Sequence, residues 1–359
     1  MRILDRYLLR EFLVYLLLGL LGFIVIFAVV DLIEKMDVFL DHKAPWLLVL
    51  QYFVNLAPDV VVKMLPVALL LATFLALGQL NKFGELTAMR AGGLSLVRIL
   101  RPVFAVAGGC VALSLVIGEY VVPAATRARD TIFEERIQHL QRSMPSERAD
   151  VTYLGSGGRV WLVGLYLVHE RRMHDVSLQE FHAGVLTRRT DAAEASWDGK
   201  RWVFSAGYVR RFEGGHEKAE GFQRMAVEGM SERPDDFAKP GHRPEEMNWF
   251  ELRSYVEKLR ASGARVENYL VDLHLKLAFP LICLIVVMIG GAMATRLRMQ
   301  SAALGFGLAV AISFLYYGIM RAGQALGHSG ALPPYVAAWS ADVLFGSGAV
   351  WMTVQAQRR

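Results

Sequence analysis

Five stretches of the chain contain no Asp, Glu, Lys or Arg: residues 12–30, 64–81, 102–118, 277–295 and 299–320. Each is mostly apolar and close to the roughly 20 residues that a helix, rising about 1.5 Å per residue, needs to cross about 30 Å of hydrocarbon. They predict membrane-spanning helices. The 102–118 run is slightly short, and Tyr120 to Pro123 extend it beyond Glu119. A sixth span is predicted from about Tyr335 to Val354, and it has to accommodate Asp342. Between the third and fourth runs the pattern changes. From Val151 to about Val227 short apolar runs are broken by glycine, as in Arg159-Val160-Trp161-Leu162-Val163 after Gly157-Gly158. Asp198-Gly199-Lys200, flanked by Trp197 and Arg201-Trp202-Val203-Phe204, predicts a hairpin, because Asp-Gly supplies the positive φ of a tight turn. Gly214-Gly215 predicts a second turn. A small antiparallel sandwich or open barrel fits this spacing. Asn248-Trp249-Phe250-Glu251 then opens a helix over about 248–262, with Gly263 as its stop.

Composition agrees: 54% of residues are hydrophobic and the mean hydropathy is +0.34, against roughly 45–50% apolar residues in soluble domains. The net charge of +5 is unevenly placed. Residues 124–276 hold 24 basic and 24 acidic side chains, whereas residues 1–11, 81–101, 296–300 and 356–359 hold 11 Lys and Arg against Asp5, Glu11 and Glu85. Six spans with both termini on one side bring all four basic clusters to that side, which the positive-inside rule makes cytoplasmic. The basic balance is therefore a topology signal and argues against a nucleic-acid partner. The expected organisation is three helices in 1–123 with a cytoplasmic connector helix at about 82–95. An exported β domain with its surface helix occupies 124–268, and three more helices occupy 269–359. No small-x-small cleavage site precedes Asp31, so the first helix is expected to be retained. The two cysteines, Cys110 and Cys283, lie in spans, and the exported domain is expected to hold together without disulfides.

No Gly-x4-Gly-Lys-Ser/Thr phosphate loop occurs, so the chain is not expected to hydrolyse ATP itself. His169-Glu170 and His174 resemble a zinc-protease motif, but histidines five apart do not share a helical face, and no metal is expected. Neither a Gly-x-Ser-x-Gly elbow nor a redox cysteine pair is present, so neither catalysis nor a cofactor is predicted. In the connector, Leu86 and Met89 share a helical face edged by Glu85 and Arg90. Such a helix either lies on the headgroups or docks into a motor subunit. Asp31 with Lys35, and Asp59 with Lys63, are four residues apart and predict local ion pairs; alternatively Lys35, Lys63 and Arg321 meet the phosphates of an anionic lipid. Ala303 with Gly307, and Gly305 with Ala309, allow close helix approach on the fifth span.

Glu85-Leu86-x-Ala88-Met89-Arg90-Ala91-Gly92, the N-terminal Leu4-Asp5-Arg6-Tyr7, and the plan of three spans, exported domain and three spans resemble the LptF/LptG permeases of lipopolysaccharide export. Leu4-Asp5-Arg6-Tyr7 is more similar to the LptG branch. The resemblance implies an α-helical bacterial inner-membrane protein of six spans with a jelly-roll-like periplasmic domain. It also implies pairing with an identical or paralogous permease, a cytoplasmic ABC ATPase dimer bound through the connector helices, and periplasmic bridge proteins that accept the lipid. On this view Glu85 meets a basic residue of the ATPase, Leu86 and Met89 are apolar anchors, and Arg90, Ala91 and Gly92 complete the coupling motif. Acyl chains would meet Phe23, Ile24, Phe27, Phe314 and Leu315 beside a gate between the first and fifth helices, with the phosphates at Lys35, Lys63 and Arg321. Asp31, Glu34 and Asp37 surround Lys35, a departure from the basic rim that the resemblance implies. The competing readings are a mechanotransmitting ABC permease acting on a periplasmic partner and a non-transport membrane scaffold.

Overall fold

The computed structural model describes residues 3–138, 147–155, 158–182, 185–213, 216–227, 230, 232–238, 244–261, 266–296 and 301–357. The expected turn at Gly214-Gly215, the helix stop at Gly263, Gly157, and most of the 296–300 basic cluster lie outside the described residues. In chain order the first helices are α1 (Ile3–Glu34), α2 (Met36–Asp41), α3 (Trp46–Lys82), α4 (Glu85–Ala91), α5 (Leu96–Val116) and α6 (Val122–Thr131). Six strands follow: β1 (Glu147–Leu154), β2 (Arg159–Leu167), β3 (Arg172–His182), β4 (Val185–Trp197), β5 (Trp202–Glu213) and β6 (His216–Ala226). The chain continues through α7 (Pro234–Ala238), α8 (Trp249–Ala261), α9 (Glu267–Arg296), α10 (Ala302–His328) and α11 (Pro334–Gln357). It divides into two compact units, one of Met1–Gln138, Pro244–Trp249 and Glu267–Arg359, the other of His139–Arg243 and Phe250–Val266.

In the first unit five helices are long and apolar enough to cross a membrane: Ile3–Glu34, Trp46–Lys82, Leu96–Ile137, Glu267–Arg296 and Ala302–His328. The expected sixth span, α11, has the length at 24 residues, but Ser340, Asp342 and Ser347 dilute its apolar character. The third span also differs from expectation. Its apolar run ends near Pro123, yet the helix, already π-helical at Ile117–Val121, continues through Val122–Thr131 to a second π-helical turn at Ile132–Ile137. The extension is polar but amphipathic, and it buries Ala125, Ile132 and Ile137.

The centre of this unit is α3. From Leu65 to Leu80 almost every residue is buried, apolar and polar faces being indistinguishable, which is the pattern of a helix surrounded by others. It packs against α1, α9 and α10. A Cβ at Gly290 of α9 would approach Thr73 Cγ2 to 2.8 Å, and one at Gly291 would collide with Leu100, so these glycines set how closely α9 meets α3 and α5. Cys110 and Cys283 are buried free thiols in this bundle. By contrast, α1 buries only Leu8, Phe12, Leu16 and Asp31.

In the second unit the six strands form one antiparallel sheet in the order β1-β2-β3-β4-β5-β6, a meander. Cross-strand rows such as Tyr153, Trp161 and Leu178, or Val151, Val163, Val176 and Ala192, present one apolar face. Phe237 of α7 is fully buried against it, with ring centroids 5.0 Å from Trp161, 5.5 Å from Trp202 and 4.7 Å from Tyr153. This aromatic core replaces the disulfides that the sequence lacks. The predicted hairpin is present: Trp197 pairs with Trp202, Gly199 has φ +99, and the Asp198 carboxylate accepts the amides of Lys200 at 2.9 Å and Arg201 at 2.8 Å.

Candidate functional site: the connector and the opposite end of the bundle

The connector α4 is seven residues long, entered through Gly84 at φ +72 and left through Gly92 and Gly93, the latter at φ +84. Its surroundings include both ends of the chain. Tyr7 Oη donates to Glu85 Oε1 at 3.4 Å, Arg98 Nη2 pairs with Asp5 Oδ2 at 3.5 Å, and Arg90 Nη2 donates to the Ala356 carbonyl at 3.3 Å. Asn81 Nδ2 donates to the Ala294 carbonyl at 2.9 Å, tying α3 to α9 beside them. The N-terminus, connector and C-terminus therefore meet at one end of the bundle. The sequence marked the connector by its motif; its contact with Ala356 has no local signal, because the partners are 266 residues apart.

The apolar anchors expected in α4 are placed differently. Leu86 is 2% exposed within the bundle core, and Met89 is half-buried against that core. Leu86 cannot insert into another protein's groove while its own bundle encloses it, which corrects that expectation. Glu85 and Arg90 are half-buried; Ala91 and Gly92 are exposed. Facing outward at the connector are Phe83, 63% exposed at the end of α3, and Thr87, Ala88 and Ala91 of α4.

At the opposite end of α1, the cations have partners. Lys35 Nζ pairs with Asp31 Oδ1 at 2.6 Å, donates to the Tyr52 hydroxyl, and lies 4.9 and 5.4 Å from the ring centroids of Tyr52 and Phe133. Neither aromatic residue was signalled by the sequence, since Tyr52 and Phe133 come from α3 and the π-helical end of the third span. Lys63 pairs with Asp59 at 2.7 Å, and its carbonyl accepts the Tyr317 hydroxyl. Arg321 Nη1 donates to Gln324 Oε1 at 2.7 Å, and Gln324 in turn donates to Asp272, which His328 also meets at 3.0 Å. The expected i, i+4 ion pairs are thus formed, and each cation is already engaged.

The apolar positions separate into two sets. Phe23 and Ile24 are half-buried against the chain's own clusters, whereas Phe27, Phe314 and Leu315 are exposed at 36%, 75% and 60%. Within one chain α1 packs on α3 and α5, and α10 packs on α3, α9 and α11. On α10, Gly305 and Ala309 face the bundle, whereas Ala303 and Gly307 face outward. Two ionisable residues in or beside the spans also have partners, although Asp342 Oδ2 is buried without one among the described residues. The Glu119 carboxylate accepts the Trp249 amide at 2.8 and 3.0 Å, and Asp342 accepts the Tyr316 hydroxyl at 2.7 Å within the bundle. Among the described residues no group of three His, Cys, Asp or Glu is arranged to hold a metal ion; His174 instead lies 3.5 Å from Glu194.

A family model described as the lipopolysaccharide export system permease LptF/LptG matches residues 6–355. Among curated proteins, none matches the chain.

Proposed function

The chain belongs to the LptF/LptG family of lipopolysaccharide export permeases, and from that premise we propose that it is one half of a permease whose work is driven from outside the chain by a cytoplasmic ABC ATPase dimer. It is a multi-pass inner-membrane protein. The finer reading has both termini and the connector on the cytoplasmic side, a second permease copy or paralogue alongside, and the β unit in the periplasm as a jelly-roll-like acceptor that passes lipid to bridge proteins. Assignment to the LptG branch belongs to this reading and rests on Leu4-Asp5-Arg6-Tyr7.

The observation that supports coupling is the meeting of α4 with both chain ends, bonded through Glu85 and Arg90, beside the Arg98–Asp5 pair that joins α5 to α1. A force applied to α4 reaches α1 through Tyr7, α5 through its short linker, and α11 through Ala356, so one docking point bears on three helices. Phe83 is the contact residue best placed to enter an ATPase groove, with Glu85 as its acidic neighbour. Exposed Phe27, Phe314 and Leu315 are the acyl-chain contacts, and Lys35, Lys63 and Arg321 the phosphate contacts. Changing Phe83 to Ala and Glu85 to Gln is expected to cut co-purification with the ATPase by about tenfold, the loss of a central aromatic anchor being of that order or more. Undiminished association and undiminished lipopolysaccharide release from the membrane would overturn the coupling role.

A further inference from the structure

Lys35 stands at the break between α1 and α2, where the helix ends at Glu34 and restarts at Met36. Below it, α1 buries no residue between Leu16 and Asp31. The outer part of this helix meets the bundle through half-buried apolar side chains such as Leu20, Phe23 and Ile24, and its one buried residue is polar, Asp31. Asp31, 9% exposed, gives one oxygen to Lys35, while its Oδ2 is buried with no hydrogen-bond partner. Tyr52 of α3 accepts from the ammonium, and Phe133, which packs with Tyr52 and Phe39, offers a ring face to the same charge. One ammonium thus joins three elements.

We propose that Asp31 is an internal stand-in for a lipid phosphate: it occupies Lys35 in the empty permease, and the phosphate of an incoming lipid headgroup displaces it and frees the outer end of α1 from α3. The inference rests on the reading of Lys35 as a phosphate contact and adds to it a competitor and a consequence. A half-satisfied carboxylate is the weaker of two rivals, because a phosphate offers more acceptor oxygens and more charge to the same donor. Lys35 remains 27% exposed, so an anion can reach it without prior unfolding. Once Lys35 turns toward the headgroup it leaves Tyr52, and the tie that the ammonium makes between α1 and α3 is lost. Tyr52 is a positioning residue here, because it touches Lys35 and not the lipid.

The test titrates the purified full chain, in complex with its partner subunits, with lipopolysaccharide, with dephosphorylated lipopolysaccharide and with inorganic phosphate. Lys35→Gln is expected to weaken lipopolysaccharide binding. Asp31→Asn is expected to tighten it about two- to fivefold, the range that release of one partly exposed ion pair gives, with no gain for the dephosphorylated lipid. In the double variant the gain is lost. Hydrogen exchange over residues 17–35 is expected to rise when lipopolysaccharide binds the unaltered protein, which a purely structural ion pair would not produce. If Lys35→Gln binds normally, the phosphate-contact reading itself fails. If Lys35→Gln weakens binding while Asp31→Asn leaves it unchanged or weaker, that reading stands and the stand-in is overturned. An equal gain for inorganic phosphate would assign the site to a free anion and overturn the lipid proposal. Should Asp31→Asn not fold, Tyr52→Phe serves in its place, with tighter binding expected and unchanged binding overturning the proposal.

Discussion

Leu86 and Phe83 are three residues apart and have opposite neighbours. The spacing of Leu86 and Met89 identifies an apolar face, but periodicity says only that something apolar covers it, and here the cover is the chain's own bundle. Leu86→Ala is therefore expected to destabilise the first unit by about 2–5 kcal/mol, whereas Phe83→Ala, at an exposed site, stays within about 0.5 kcal/mol. Thermal unfolding of the two variants in one detergent checks the contrast; equal losses would place Leu86 at the surface. Asp198 illustrates a residue whose role was legible. The amides of Lys200 and Arg201 hold its carboxyl below the usual carboxylate range. A depressed folded value means that the contribution is present above the unfolded value and is lost as pH falls through the folded one. Asp198→Asn is expected to flatten the acid limb of the unfolding profile of the second unit, which circular dichroism against pH would read. Lys35 lies between these cases: the pairing with Asp31 follows from helical spacing, but nothing within local reach of Lys35 announces Tyr52 or Phe133.

Among the elements, the long helices were visible because a charge-free run of this length has few alternatives. Their ends were less so, since the third helix outlasts its apolar run by more than a turn and stays helical on packing and on good helix formers such as Ala124, Ala125 and Ala128. The sheet was legible through its turns, and Asp198-Gly199 placed one hairpin correctly. Strand order was not, because alternation marks which face is inward and says nothing about which strand is adjacent. Gly207 in β5 is a point where the sheet leaves no room: a Cβ there would collide with the Asp191 carbonyl and lie 2.9 Å from Ala192 Cα. Gly207→Ala is accordingly expected to cost the second unit at least about 1–3 kcal/mol through forced backbone movement. Native-like melting of the variant would mean that β4 and β5 separate more easily than their pairing suggests.

For the molecule as a whole, two cores of different chemistry share one chain. The first is a bundle in which lipid supplies part of the surroundings, as the exposed apolar residues of α1 and α10 require. The second is a sheet closed by aromatic packing, and its alkaline limit follows from that core. Tyr166 is fully buried, donates to the Pro234 carbonyl at 2.9 Å, and desolvation pushes its hydroxyl up to about 12. Because the unfolded tyrosine ionises near 10 while the folded one keeps its proton, stability falls as pH rises from about 10 toward about 12. Tyr166→Phe should reduce that slope, leaving the part due to Tyr153, whose hydroxyl pKa burial in the same core also raises. The melting temperature of the full chain's β signal against pH measures it, and an unchanged slope would assign none of it to Tyr166. The division into a lipid-facing half and a self-contained half was readable from charge and hydropathy, whereas the contact of Lys35 with Tyr52 and Phe133 was not, since it depends on residues brought together from different helices.

The two thiols described above have a practical corollary. Both are enclosed in the bundle, Cys283 at 0% and Cys110 at 8% exposure, so a maleimide added to the intact permease meets almost no native target. Single cysteines introduced at outward-facing places such as Ile33 and Leu50, exposed at 65% and 50%, would then carry dyes or spin labels selectively, with no background to engineer away. The distance between α1 and α3 could then be followed in a protein otherwise unaltered.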